Sequence, residues 1–149
     1  MATKVASRPA RTKETTRPSV GSQRALIGLE VFAGVGAVYG GFELYRDAWG
    51  LSEELLQHTP FTTWTWPGVL LLVVVAVPML GAAVLELARS SWAFIASMLA
   101  GLALAGWIAV QLLVMGYQLT LQPLMLIIGL AVAMLAWVVH PAGSRDYYR

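Results

Sequence analysis

The chain contains no cysteine, which removes disulfides, zinc–thiolate sites, iron–sulfur clusters and thiol nucleophiles from consideration. Charge is also scarce. Only 12% of the 149 residues are Asp, Glu, Lys or Arg, against about 25% in an ordinary soluble domain. Such a chain cannot clothe a water-exposed surface. Histidine occurs only at His58 and His140, which fall at opposite ends of the hydrophobic region. One copy cannot bring both to a single ion, so neither a metal nor a cofactor is expected.

In place of charge there is apolar bulk. Hydrophobic residues make up 58% of the chain, and the mean hydropathy is +0.67. A helix needs about 20 apolar residues to cross a hydrocarbon core of about 30 Å. Four stretches meet this, at 25–45, 67–87, 93–115 and 123–140. The first is the weakest, because it carries Glu30, Glu43 and several glycines. It has almost no hydrophilic face, however, and so reads as a span rather than a surface helix. Its distance from the start of the chain sets it apart from a cleaved signal peptide. The expected fold is an all-α membrane protein, an antiparallel bundle of four transmembrane helices.

Residues 1–24 hold prolines, hydroxyl residues and bases but almost nothing to bury, and read as a disordered basic tail. Residues 141–149 form a second tail of the same kind. An even number of spans places both tails on one side, together with Arg89. Nine of the ten basic residues then share that side, and Arg46 alone faces the other. The positive-inside rule makes the nine-residue side cytoplasmic and the 46–66 loop external. Arg8, Arg11, Lys13, Arg17 and Arg24 are candidate contacts for anionic lipid headgroups, each worth about 1 kcal/mol near the surface. The tail has no aromatic residue to stack on a base, so nucleic acid is not an expected partner. Within the external loop, Ser52 ahead of Glu53 and Glu54 predicts the cap of a short surface helix that Pro60 ends.

Helix packing in lipid depends on close backbone approach and buried hydrogen bonds. Gly36 and Gly40 form a GxxxG pair in the first span, and Ser97, Gly101 and Ala105 form a small-residue stripe in the third. These two faces are expected to meet. Pro78 predicts a kink in the second span. Ser97, Gln111 and Gln118 share one helical face, and Trp107 precedes Gln111 by one turn. An amide inside lipid must find a partner, so this stripe should face the bundle, where Tyr39 and Glu43 of the first span come within reach. It reads either as a packing network or as a binding site for a small apolar molecule with a polar head. Glu43 with Arg46 and Glu86 with Arg89 read as ion pairs at helix ends. Glu30 either snorkels toward the cytoplasmic surface or has a function.

The strings HTPF at 58–61, WPGVLLL at 66–72, GWIAVQ at 106–111 and LQP at 121–123 are the most distinctive in the chain. They resemble an uncharacterised family of small four-span membrane proteins widespread in actinobacteria and other high-GC bacteria. The resemblance covers the loop and spans two to four. It implies a four-helix architecture in a bacterial plasma membrane and brings no activity with it.

Three function classes follow. The first is a non-enzymatic subunit or accessory of a larger envelope assembly, with a membrane-protein partner or a second copy beside it. The second is a small transporter or lipid-binding carrier with an outward-facing cavity between the first and third spans. The third is a lipid-modifying membrane enzyme, for which no nucleophile–base pair stands out.

Overall fold

The structure is a computed structural model that describes residues 20–57, 59–118 and 120–140, with Trp49 described through its backbone alone. His58 and the candidate lipid contacts Arg8, Arg11, Lys13 and Arg17 lie outside the described residues, as does the C-terminal tail. Arg24 is exposed near the start of the first helix.

Among the described residues, four helices are long and apolar enough to cross a membrane: α1 (Val20–Arg46), α2 (Thr65–Leu87), α3 (Ala93–Met115) and α4 (Leu121–Val139). The shortest, α4, has 19 residues and is about 29 Å long at 1.5 Å per residue, enough to reach across the hydrocarbon core. α1 is described from Val20, ahead of the expected boundary at 25, and places Gly21 to Arg24 on the helix. No strand occurs among the described residues. Val73, Leu113, Ile127 and Met134 are exposed large apolar side chains on α2, α3 and α4, as a lipid-facing belt requires.

Local chemistry sets the ends. Between α1 and α2 run two short 3₁₀ turns, Ala48–Gly50 and Glu53–Leu56. Ser52 caps the second, its hydroxyl accepting the Glu54 N–H at 3.1 Å, and Leu56 anchors it as a buried side chain. At the end of α2, Arg89 takes the left-handed conformation (φ 52°). The Ser90 N–H then donates to the Leu85 carbonyl at 2.9 Å, and the Arg89 N–H to that of Glu86 at 3.1 Å. That pairing is a Schellman stop with arginine where glycine is usual. Gly116 (φ 72°) ends α3.

Each helix packs on its neighbours in sequence, and α4 closes the ring onto α1. α1 and α3 therefore lie across a diagonal, and the expected meeting of the Gly36–Gly40 face with Ser97–Gly101 does not form. A Cβ on Gly36 would meet nothing within 4 Å, and one on Gly40 only the tip of Leu71 at 3.3 Å. The close approaches lie elsewhere. A Cβ on Gly101 would stand 2.7 Å from the Gly129 carbonyl oxygen and from the Ala133 nitrogen, joining α3 to α4. A Cβ on Gly68 would stand 2.8 Å from the Gly41 oxygen, joining α2 to α1. Spacing identifies a smooth face but not the helix that settles on it.

Pro78 is accommodated by a wider turn. Residues Leu72–Ala76 form a π-helical turn, with the Val77 N–H bonded to the Leu72 carbonyl five residues back. Such a turn relieves the clash between a proline ring and the preceding turn. The core beneath is small and tight, with Leu26, Ala33, Val75, Met79, Ala100 and Val132 all nearly inaccessible.

Candidate functional site

Two features stand out, one at each end of the bundle. At the end bearing the long loop, a cavity of about 440 Å³ opens between α1 and α3 beneath the loop, with α2 and α4 as side walls. Its existence follows from the packing. Diagonal helices do not close on one another, and the smooth Gly36–Gly40 face adds no bulk to fill the gap. The described lining residues are overwhelmingly apolar, and none carries a charge. A site of this size and lining matches small apolar ligands.

The polar groups in that lining are few. Trp64, only 7% exposed, and Trp107 both line it. The indole N–H of each is buried and has no acceptor. A buried N–H without an acceptor is costly, and two in one apolar cavity call for an explanation. Gln111 also lines the cavity, one turn beyond Trp107.

The residues expected to form the site separate. Trp107, Gln111, Gln118 and Tyr39 all border the cavity, whereas Glu43 does not. Glu43 pairs instead with Arg46 at 3.7 Å, as its spacing indicated. Gln118 is not on the helical stripe, because α3 stops at Met115 and Gly116 turns the chain. Its side chain donates to the Met115 carbonyl at 2.7 Å, while the Gln122 side chain accepts the Gln118 N–H at 2.9 Å. These amides fasten the α3–α4 turn. Ser97 lies at the far end of the bundle, so the proposed single polar face is split. Trp64 is the residue that sequence reasoning passed over. It lies in a run of aromatics that reads as a membrane-interface belt, and nothing in that run marks one ring as buried.

At the other end, Glu86 departs from the expected pair with Arg89. The Schellman stop leaves Arg89 exposed, while the Glu86 side chain is 1% exposed. Its Oε1 accepts the Ser97 hydroxyl at 3.2 Å and lies 2.7 Å from His140 Nε2. Phe94 lies against the His140 ring, centroids 6.0 Å apart, and against Trp137 at 6.2 Å. Glu30 does not snorkel; it is fully buried. Ser97 lies within hydrogen-bonding reach of it, and Glu86 and His140 within electrostatic reach, yet no hydrogen bond of good geometry reaches either Glu30 oxygen. The single hydroxyl proton of Ser97 is directed to Glu86. Sequence distance concealed this cluster, since its members come from four different helices or helix ends. No family model matches the chain, and no match to it was found among the curated proteins or the solved structures.

Proposed function

We propose that this multi-pass membrane protein is a non-enzymatic lipid-binding carrier that holds one neutral, lipid-like molecule in the loop-end cavity. We place it in a bacterial plasma membrane with both termini cytoplasmic, so that the cavity opens toward the outer face. The basic residues on the terminal side support that orientation.

One observation carries the reading: the two buried indole N–H groups without acceptors, both on residues lining an overwhelmingly apolar cavity. A ligand with an apolar body and an acceptor oxygen, such as an ester carbonyl, satisfies both requirements. The charge-free lining disfavours an ionised headgroup within the cavity, because an isolated charge in an apolar site is strongly penalised. Thr59 is the lining hydroxyl nearest to a nucleophile's chemistry, and it is engaged with the Leu56 carbonyl at 2.8 Å. Binding without transformation is therefore the simpler role.

The test is purification in mild detergent followed by lipid mass spectrometry. Wild type should retain a defined neutral lipid in stoichiometric amount. Trp64→Phe and Trp107→Phe, which keep a ring and remove the N–H, should lose it while remaining folded. Only bulk phospholipid, in equal amounts in all three proteins, would overturn the proposal.

A further inference from the structure

The cluster at the terminal end is independent of the cavity and invites a reading of its own. Glu30 lies five residues past the expected start of the first span at 25, or about 8 Å along the helix. Its side chain does not extend to the surface: the structure buries it completely between the helices. A carboxyl group in such a place is costly unless something binds it. No described side chain does so by hydrogen bond.

The surroundings are easily enumerated. α2 contributes one ionisable group, Glu86, and the end of α4 contributes His140. α3 contributes the Ser97 hydroxyl and has no ionisable residue anywhere along its length. On α1 itself the nearest charge is Arg24, which is exposed. Glu86 already receives Ser97 and His140 on one oxygen. The unmet demand is therefore on Glu30 alone.

We infer that Glu30, Ser97, Glu86 and His140 form a proton-binding site, with the proton carried by Glu30 and exchanged with water through His140. A proton is the ligand that this geometry fits. Added to a Glu30 oxygen it neutralises the carboxylate and turns it into a donor. The Ser97 oxygen, whose own hydrogen points to Glu86, has a lone pair free to accept that bond. A metal ion would need several converging ligands, and no three acidic or histidine side chains converge in that way among the described residues. His140 is the entry, because its side chain is 14% exposed while that of Glu86 is 1% exposed. The transfer balances as one proton from water onto His140, passed by way of Glu86 and Ser97, and one proton resting on Glu30. Each intermediate group gives up one proton for each it receives, and the cluster gains one positive charge.

The test is infrared spectroscopy of the full-length protein in lipid nanodiscs at neutral pH. Wild type should show the carbonyl stretch of a protonated carboxylic acid, moving on transfer to D₂O. Glu30→Gln should abolish that band, and Glu43→Gln, which alters the exposed helix-end pair, should leave it. His140→Phe should retain the band but slow its response to D₂O severalfold. Should Glu30→Gln fail to fold, Glu30→Asp is read instead and should shift the band in frequency. Absence of the band from wild type, its survival unchanged in both Glu30 variants, or its removal by sodium chloride at constant pH would each overturn the assignment. The last result would make the site one for a metal cation.

Discussion

The carboxylate of Glu86 and the imidazole of His140 meet at 2.7 Å although 54 positions separate them in the chain. The contact joins the end of α2 to the end of α4 across the diagonal of the bundle, where the backbones barely touch. Removing one member of a buried polar pair leaves the other with fewer hydrogen bonds than it can make, which costs about 2 kcal/mol. His140→Leu and Glu86→Leu should each lower stability in detergent by about that amount. The double variant should recover part of the loss, because neither partner of the pair is then left buried without the other, although Ser97 still loses its acceptor. Strictly additive losses in a double-mutant cycle would mean that the contact contributes no coupling.

Glycine packing gives a second test, and it reverses the expectation from sequence spacing. Gly101→Ala drives a methyl group to 2.7 Å from backbone atoms of Gly129 and Ala133, which cannot move aside as a flexible side chain does. Strain of this kind costs about 1–3 kcal/mol. Gly36→Ala enters open space and should be neutral or slightly stabilising, since alanine favours helix by up to about 1 kcal/mol. Comparison of their unfolding midpoints checks the packing directly. A Gly36 variant as unstable as the Gly101 variant would count against the observed ring order.

Why one glycine face could be mistaken for another is a matter of what local sequence encodes. Hydropathy marks spans because each residue votes independently, and the ends of α2, α3 and α4 accordingly fall within two residues of their expected positions. The Ser52 cap was legible for the same reason, being a contact between neighbours. Partner choice is different. The close pairs Gly101–Gly129 and Gly41–Gly68 depend on which helices sit side by side, and periodicity along one helix does not carry that information. The site shows the same divide. Trp107 and Gln111 border the cavity as their common face suggested. The spacing of Glu86 and Arg89 permits an ion pair, but the left-handed turn at Arg89 leaves Arg89 exposed and Glu86 buried. Trp64 and His140 gain their surroundings only from the closed ring.

The stop at Arg89 is itself testable. A non-glycine residue in the left-handed region costs about 1 kcal/mol, and here the hydrogen bonds of Ser90 and Arg89 hold it in place. Arg89→Gly should therefore raise stability by about 1 kcal/mol. The same variant removes a basic residue from a connection between spans, but six others precede α2 on the terminal side, so orientation should be kept. Cysteine introduced singly at Glu53 or Ser91 reports that orientation, since the chain has no thiol of its own. An impermeant maleimide applied to intact cells should label the Glu53 variant alone, in either the parent or the Arg89→Gly background. Labelling at Ser91 instead would invert the proposed topology and turn the cavity toward the cytoplasm.

Gln111 distinguishes a packing role from a ligand role more sharply than any other position. An amide that bridges two helices contributes about 0.6 kcal/mol on average, and its loss would register as a small drop in stability. Gln111 lines the cavity wall beside Trp107, and no described hydrogen bond ties it to another helix. Gln111→Leu should accordingly leave the unfolding midpoint unchanged, since there is no bridge to break. The same substitution removes the amide from a lining otherwise poor in polar groups, so retention of the neutral lipid should fall. Gly36→Phe gives the complementary measurement. Gly36 lies on the cavity wall where a Cβ meets nothing within 4 Å, and a phenyl ring there fills ligand space without altering the indole or amide groups. Both variants should lose lipid, one by chemistry and the other by volume. Lipid retained by Gln111→Leu together with a lowered midpoint would assign the amide to packing and leave recognition to the two indoles.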